Sequence, residues 1–315
     1  MLIIDSHNAE INEKKVFNLH LRNSMLLRDV FDADLVTLPS HLQDKDYTKV
    51  VFVHAAAYSK SSHFIDYILN LDNPELWYVC NDYNLGEPDS LWALAKKYDM
   101  PFNVIANHNK EHSKITKKYV NEWHVCNLNS LCFEYIDPPS FNQVSTFFAT
   151  SSDYRKDIVY YGAWRKGREK YFKKYFDRNF PVSTSRKNTK KFTNQGVHAL
   201  WCDRLNWYGT MNTLFDYKSS LYIEDEKTHE WYSHLANRYY EALTYSIPSY
   251  FDKSCIITLE KAGIRDDIPD RFIVNSIEEL KNRLSENDNF DLSVLKKKAM
   301  QEKYDTIEFI RNLLC

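Results

Sequence analysis

Asp157-Ile158-Val159-Tyr160-Tyr161-Gly162-Ala163-Trp164-Arg165-Lys166-Gly167-Arg168-Glu169 reads as a buried strand that turns through a small residue into a helix. A glycine at the strand's end lets a ligand approach the next helix's N-terminus, whose unpaired amides and positive dipole end favour phosphate. Arg165 or Arg168 can then add a charged fork to a diphosphate. Further along, Arg238-Tyr239-Tyr240-Glu241 puts Arg238 and Glu241 three residues apart, so on one helix they share a face. The arginine suits phosphate and the glutamate suits a ribose diol. Together the two segments have the make-up of a nucleotide-sugar grip.

Outward from that grip the chain alternates short apolar bursts with amphipathic stretches. In the first half these are Leu2 to Ile4, a helical pattern from about Lys15 to Phe31, Leu35 to Leu38, Val50 to Val53, a helix near His63 to Asn70, and Leu76 to Cys80. A helix near Leu91 to Tyr98 follows, then strands around Phe102 to Ile105 and Leu131 to Tyr135. That is βαβ rhythm, and continuous runs such as Val50-Val51-Phe52-Val53 suit strands buried on both faces of a parallel sheet. Asp137-Pro138-Pro139-Ser140 interrupts regular structure, because proline removes donors and restricts its neighbour.

The second half repeats the rhythm. Strand Ile158 to Tyr161, helix Gly167 to Asp177, a strand near Val182, a basic and aromatic segment, strand Ser220 to Ile223, helix His234 to Tyr245, and strands at Ser249 to Phe251 and Phe272 to Val274 follow in order. Ser276 with Glu279 three residues later opens a helix with a capping box, and a lysine-rich helical stretch runs from Leu292 to Leu314. The expected organisation is α/β: a Rossmann-like domain over 1–140, a linker over 141–156, a second Rossmann-like domain over 157–290 and a terminal helix over 291–315. Two such domains facing a central cleft is the architecture this pattern predicts.

Composition narrows the function classes. With 41 basic and 43 acidic side chains the net charge is only -2, which gives no bulk electrostatic case for nucleic acid, so any DNA contact must come from a local patch. The six cysteines include no Cys-x-x-Cys pair, which argues against a zinc ribbon or disulfide framework. Six glycines are too few for a fold built on repeated glycine loops, such as a full dinucleotide fingerprint. No apolar run approaches the length of a membrane span, and Met1 to Asp5 is too short for a secretory segment, so the cytosol is the expected compartment and no membrane partner is expected.

At Gly162 with Arg165, at Arg238 and Glu241, and at Asp270-Arg271-Phe272-Ile273-Val274-Asn275 through Glu278-Glu279-Leu280, the sequence resembles the bacteriophage DNA β-glucosyltransferases. In the first half, Leu76-Trp77-Tyr78-Val79-Cys80-Asn81-Asp82-Tyr83-Asn84-Leu85 looks like that family's strand ending in its catalytic aspartate, and Phe133-Glu134-Tyr135 precedes the linker as there. The resemblance implies a GT-B fold and an enzyme that moves glucose from UDP-glucose to 5-hydroxymethylcytosine in duplex DNA. It implies Asp82 as general base, Arg165 and Arg238 on the diphosphate with Arg168 as a neighbouring substitute for the family's second arginine, and Glu241 on the ribose. It also implies double-stranded DNA as partner and the cytoplasm of an infected bacterium as location; a monomer is the expected state. Another sugar such as a pentose, a non-DNA acceptor, or a non-catalytic nucleotide- or DNA-binding relative are the alternatives.

Each residue also has a plainer role. Asp82 follows an apolar strand, where ligands of α/β sheets bind, but an Asp there is commonly a helix cap or turn former. Arg238 and Glu241 could be an ordinary exposed pair. Arg165-Lys166-Gly167-Arg168 could be a solvated first turn, although positive charge there opposes the helix dipole. His7, His54 and His108 lie near strand ends without a metal-ligand pattern; a divalent ion, Mg or Mn, could share the diphosphate's charge, but no ligand cluster requires one. For DNA, the candidate clusters are Lys110, Lys114, Lys117 and Lys118, and Arg186, Lys187, Lys190 and Lys191.

Overall fold

Apolar bursts at the start of the chain become the middle of a six-stranded parallel sheet. Its strands are β1 (Leu2–Asp5), β2 (Asp34–Val36), β3 (Lys49–Val53), β4 (Glu75–Cys80), β5 (Phe102–Ala106) and β6 (Val120–Val125), in the order β2-β1-β3-β4-β5-β6. The computed structural model describes residues 1–5, 19–53, 62–80, 89–113, 117–134, 156–162, 164–177, 180, 182–184, 186–201, 217–286 and 290–315. The chain divides into two units, Met1–Tyr135 with Gln301–Cys315, and Ile136–Met300, both mixed α/β with parallel sheets.

In the first unit the register sets Ile3 opposite Leu35 on one side and Val51 on the other. Side chains alternate between two apolar layers. Ile4, Val50, Phe52, Tyr78 and Val104 pack with Phe64, Ile68, Leu91 and Leu94 from helices Ser62–Leu69 and Asp89–Tyr98. Ile3, Val51, Val79 and Ile105 pack with Leu26 and Leu27 of helix Leu19–Phe31 and with Ile310 and Leu314 of helix Ser293–Leu314. Burial on both faces is why these strands read as unbroken apolar runs, and each such side chain contributes roughly 1.5–3 kcal/mol. The strand order reverses between β1 and β3. At that point Asp5, fully buried, accepts a 2.5 Å hydrogen bond from Ser24 Oγ.

Two expectations in this unit change. Leu131 to Tyr135 does not begin as a strand: Ser130–Cys132 is a 3-10 turn. Ser130 Oγ donates to the Asn127 carbonyl at 2.7 Å and Cys132 Sγ to the Asn129 carbonyl at 2.8 Å, so short-range bonds curl the backbone while its apolar side chains stay buried. The edge strand β6 is an addition that carries no such unbroken apolar run, because none of its residues is fully buried and Asn121 and Glu122 break the apolar pattern.

The second unit contains β7 (Lys156–Val159), β8 (Val182–Thr184), β9 (Ala199–Trp201), β10 (Tyr217–Tyr222), β11 (Ser249–Asp252) and β12 (Ile273–Val274). Its main sheet has the order β12-β11-β10-β7, all parallel, and β8 pairs with β9 separately. Thr184 Oγ1, at the end of β8, donates to the Gly162 carbonyl at 2.7 Å, which ties the end of β8 to the turn after β7. Helix Glu169–Tyr175 buries Tyr171, Phe172 and Tyr175, and Phe172 meets Phe192 of helix Arg186–Thr193 edge-on at 4.9 Å. Helix Asn237–Thr244 buries every residue from Tyr239 to Thr244.

The expected capping box forms in part at Ser276, the glutamate reaching the amide one residue before the cap. Ser276 Oγ accepts from Glu279 N at 3.1 Å, and Glu279 Oε2 accepts from Asn275 N at 2.9 Å. Helices Arg186–Thr193, Glu226–Trp231 and Ile256–Lys261 were not expected from the sequence pattern. Among the described residues no helix is long and apolar enough to cross a membrane.

Candidate functional site

Because β7 and β10 are parallel neighbours, the residues that follow them emerge at the same sheet edge. After β7 comes Tyr160-Tyr161-Gly162, and after β10 comes Ile223-Glu224-Asp225. Carboxyl ends of parallel strands are where α/β sheets bind ligands.

Arg238 is brought to this edge by helix Asn237–Thr244. Its guanidinium lies 5.7 Å from the ring centroids of both Tyr160 and Tyr222, so aromatic faces hold it on two sides. Nη2 donates to the Ile223 carbonyl at 3.1 Å and to Glu224 Oε1. Nε is buried and has no hydrogen-bond partner among the described residues. Nη1 lies beside Gly162, 3.6 Å from where a β-carbon would stand on that glycine. Gly162 has φ of +156°, a conformation that L side chains rarely adopt. Burial opposes the charge of Arg238, but Glu224 and the surrounding tyrosines outweigh it and hold the guanidinium pKa above its ordinary value.

Glu241, one turn later and 3% exposed, accepts from Tyr161 Oη at 2.6 Å through Oε2 and from Asn237 Nδ2 at 3.1 Å through Oε1. Glu241 is therefore buried and Arg238 largely covered, and the two are directed to different partners rather than forming an exposed pair.

Arg168 has a different position from the one read in the sequence. It is 3% exposed, ion-paired through Nη2 with Glu224 Oε2, and its Nε lies 3.5 Å from Asp225 Oδ2. Nη1 reaches Tyr160 Oη at 3.5 Å. Burial again opposes the charge, and Glu224, Tyr160 and Asp225 together outweigh it, holding the pKa above its ordinary value. Gly167, the residue before it, allows this approach: a β-carbon there would stand 3.1 Å from the Asp225 β-carbon, which is tight. Asp225 caps helix Glu226–Trp231 by accepting from Thr228 N at 3.0 Å. Although burial would raise its pKa, Arg168, Thr228 and then Arg165 lower it below the ordinary value. Arg165 is half-buried. The turn after Gly162 enters its helix through a 3-10 segment, Lys166–Arg168, in place of a direct α-helical start.

No protein-family model matches the chain, and no curated protein matches it in sequence. Among solved structures it is similar to the crystal structure of Anabaena Alr3699/HepE in complex with UDP-glucose, with a TM-score of 0.39 and 8% identity over 98% of this chain and 93% of that one.

Asp82 lies outside the described residues, as do His7, His54, Lys114 and residues 141–155 of the expected linker. His108 is buried and packs edge-on against Trp123 at 5.6 Å. Lys110, Lys117 and Lys118 fall on short 3-10 turns, while Lys190 and Lys191 lie on helix Arg186–Thr193. Among the described residues no three His, Cys, Asp or Glu side chains are grouped to hold a metal ion. The residue the sequence did not mark is Glu224. An acid at a strand end resembles a solvated cap, and nothing in its spacing links it to Arg168 or Arg238.

Proposed function

We propose that this chain is an inverting glycosyltransferase of GT-B type that takes a sugar, glucose in the leading reading, from a UDP-sugar and places it on the hydroxymethyl group of 5-hydroxymethylcytosine in duplex DNA. The observation that carries the donor half is Arg238: a guanidinium fixed beside Gly162 at the carboxyl edge of β7 and β10, with Nε and Nη1 not committed to any described residue. The acceptor half rests on the sequence resemblance around Asp82.

In this mechanism Gly162 admits the diphosphate close to the backbone and Arg238 and Arg165 meet its charge. Glu241 accepts from the ribose hydroxyls, held in place by Tyr161 and Asn237. Asp82 takes the proton of the acceptor hydroxyl as that oxygen attacks the anomeric carbon from the face opposite UDP, which inverts configuration. The bond to UDP breaks as the new one forms, so charge grows on the diphosphate and the arginines help most in the transition state. A divalent ion would share that charge. A base inside a duplex must be flipped out to be reached.

The test is UDP release by purified protein with a panel of UDP-sugars, on duplex DNA containing 5-hydroxymethylcytosine and on unmodified DNA, followed by nucleoside mass analysis. Release confined to modified DNA with a matching mass gain establishes the reaction and names the sugar. Release without DNA dependence assigns another acceptor; UDP binding with no release under any pairing refutes catalysis. Asp82→Ala should abolish turnover and retain UDP binding, and full activity in that variant removes Asp82 from its role.

A further inference from the structure

Glu224 is 1% exposed and belongs to neither the strand nor the helix that flank it. It holds two arginines at once, Arg238 through Oε1 and Arg168 through Oε2. The sharing is unequal in its effect. Arg168 has both terminal nitrogens engaged, Nη2 by Glu224 and Nη1 facing Tyr160 Oη at 3.5 Å, while its buried Nε makes no hydrogen bond and lies 3.5 Å from the Asp225 carboxylate, which shields it from any ligand. Among the described residues Arg238 has hydrogen-bond partners only on Nη2, which leaves Nη1 beside Gly162 and a buried Nε–H with no carboxylate facing it. A buried donor left without a partner costs about 1–3 kcal/mol, so this arrangement stands ready for an acceptor to supply it.

The geometry points to Glu224 as the positioning residue of the donor site: it pins Arg238 by one nitrogen so that the other two face a diphosphate, and it withholds Arg168 from the same ligand. Arg168 then acts on the ligand only through Glu224. Glu224 supplies the charged acceptor that, with the Ile223 carbonyl, fixes Nη2 and so the direction of Arg238, since the tyrosine faces restrict the plane of the guanidinium but supply no acceptor for a particular nitrogen. This inference rests on the reading that the site takes a nucleoside diphosphate.

The experiment is calorimetric titration of the full chain and of Glu224→Gln with UDP and with UMP. Wild type should prefer UDP to UMP. In the variant, UDP should bind about tenfold more weakly or worse, the scale of one charge-assisted hydrogen bond, while UMP changes much less, so the UDP/UMP preference collapses. A carboxylate that only supports the fold would weaken both ligands equally; an unchanged UDP/UMP ratio overturns the inference and leaves the donor reading standing. Wild type that binds neither UDP nor inorganic pyrophosphate overturns that reading and the inference with it. Should Glu224→Gln fail to fold, the wild type decides through its arginine Nε–H resonances during titration with inorganic pyrophosphate, assigned with Arg238→Lys. The Arg238 signal should move and the Arg168 signal should stay; movement of Arg168 as large as that of Arg238 overturns the inference.

Discussion

Asp252 offers the sharpest test of how the second unit is held together. It ends β11, is 1% exposed, and receives four donors: Lys174 Nζ at 2.8 Å and Tyr175 Oη at 2.5 Å on Oδ2, Ser254 N at 2.9 Å and Ser254 Oγ at 2.6 Å on Oδ1. One carboxylate thus joins the sheet edge to helix Glu169–Tyr175. Asp252→Asn keeps an oxygen for Ser254 but turns an amide donor toward Lys174 and Tyr175. Tyr175 can transfer its proton bond to the Val274 carbonyl at 2.9 Å, and Lys174 keeps Asn275 Oδ1 at 2.8 Å. Two charge-assisted bonds at about 1.5–3 kcal/mol each, partly recovered in this way, give a net cost of about 2 kcal/mol. For a unit of this size that is on the order of 4–8 °C in the melting transition.

The pH dependence carries the reasoning further. Burial alone would raise the Asp252 pKa, but Lys174, Ser254 and Tyr175 together hold it below its ordinary value. A carboxyl lowered in the folded state stabilises the fold above its unfolded pKa, about 3.9, and loses that contribution as pH falls through the folded value. Urea unfolding of wild type and Asp252→Asn should therefore differ by the full amount near pH 7, and the difference should shrink below about pH 4. Equal stability near pH 7, or a difference that persists unchanged into acid, would refute this account of the carboxylate.

Gly162→Ala should fold, because the new methyl meets Arg238 Nη1 and Tyr160 Oη only at ordinary contact distances of 3.6 and 3.7 Å. It should cost about 1–2 kcal/mol in backbone strain and weaken UDP binding about tenfold by calorimetry, since the methyl stands where a phosphate would approach Nη1. Ile310→Ala removes a fully buried side chain from the apolar layer under β1 and β3 and should cost about 3 kcal/mol by urea unfolding. Ser276→Ala deletes the cap that accepts from Glu279 N and should cost about 1 kcal/mol in the same assay.

The strands at the centre of the six-stranded sheet were legible because burial on both faces leaves a continuous apolar signature, as in Val50 to Val53. Elements with one covered side were not. Val120 to Val125 alternates weakly because its outer residues, Asn121 and Glu122, are exposed. Arg186 to Thr193 is polar apart from Phe192, whose single buried ring anchors it. Leu131 to Phe133 shows the opposite failure, an apolar run whose backbone bonds go to its own turn. At the site, Arg238 and Glu241 could be read together because helical spacing puts them on one face. Arg168 could not be placed, since what determines its direction is a carboxylate 56 residues away in sequence. Long-range charge pairing of that kind leaves no periodicity to read.

The first unit is discontinuous in sequence, with Gln301–Cys315 returning to it after the whole of the second unit. During synthesis, β1 to β6 leave the ribosome well before Ile310 and Leu314 exist to cover their share of the layer around Ile3, Val51 and Val79. Residues 136–300 intervene, which at bacterial or eukaryotic translation rates is a delay of roughly ten to thirty seconds. For that interval the nascent first unit shows part of its apolar layer to the cell, so its yield should depend on chaperone supply and translation speed in a way that a unit encoded by one contiguous segment would not.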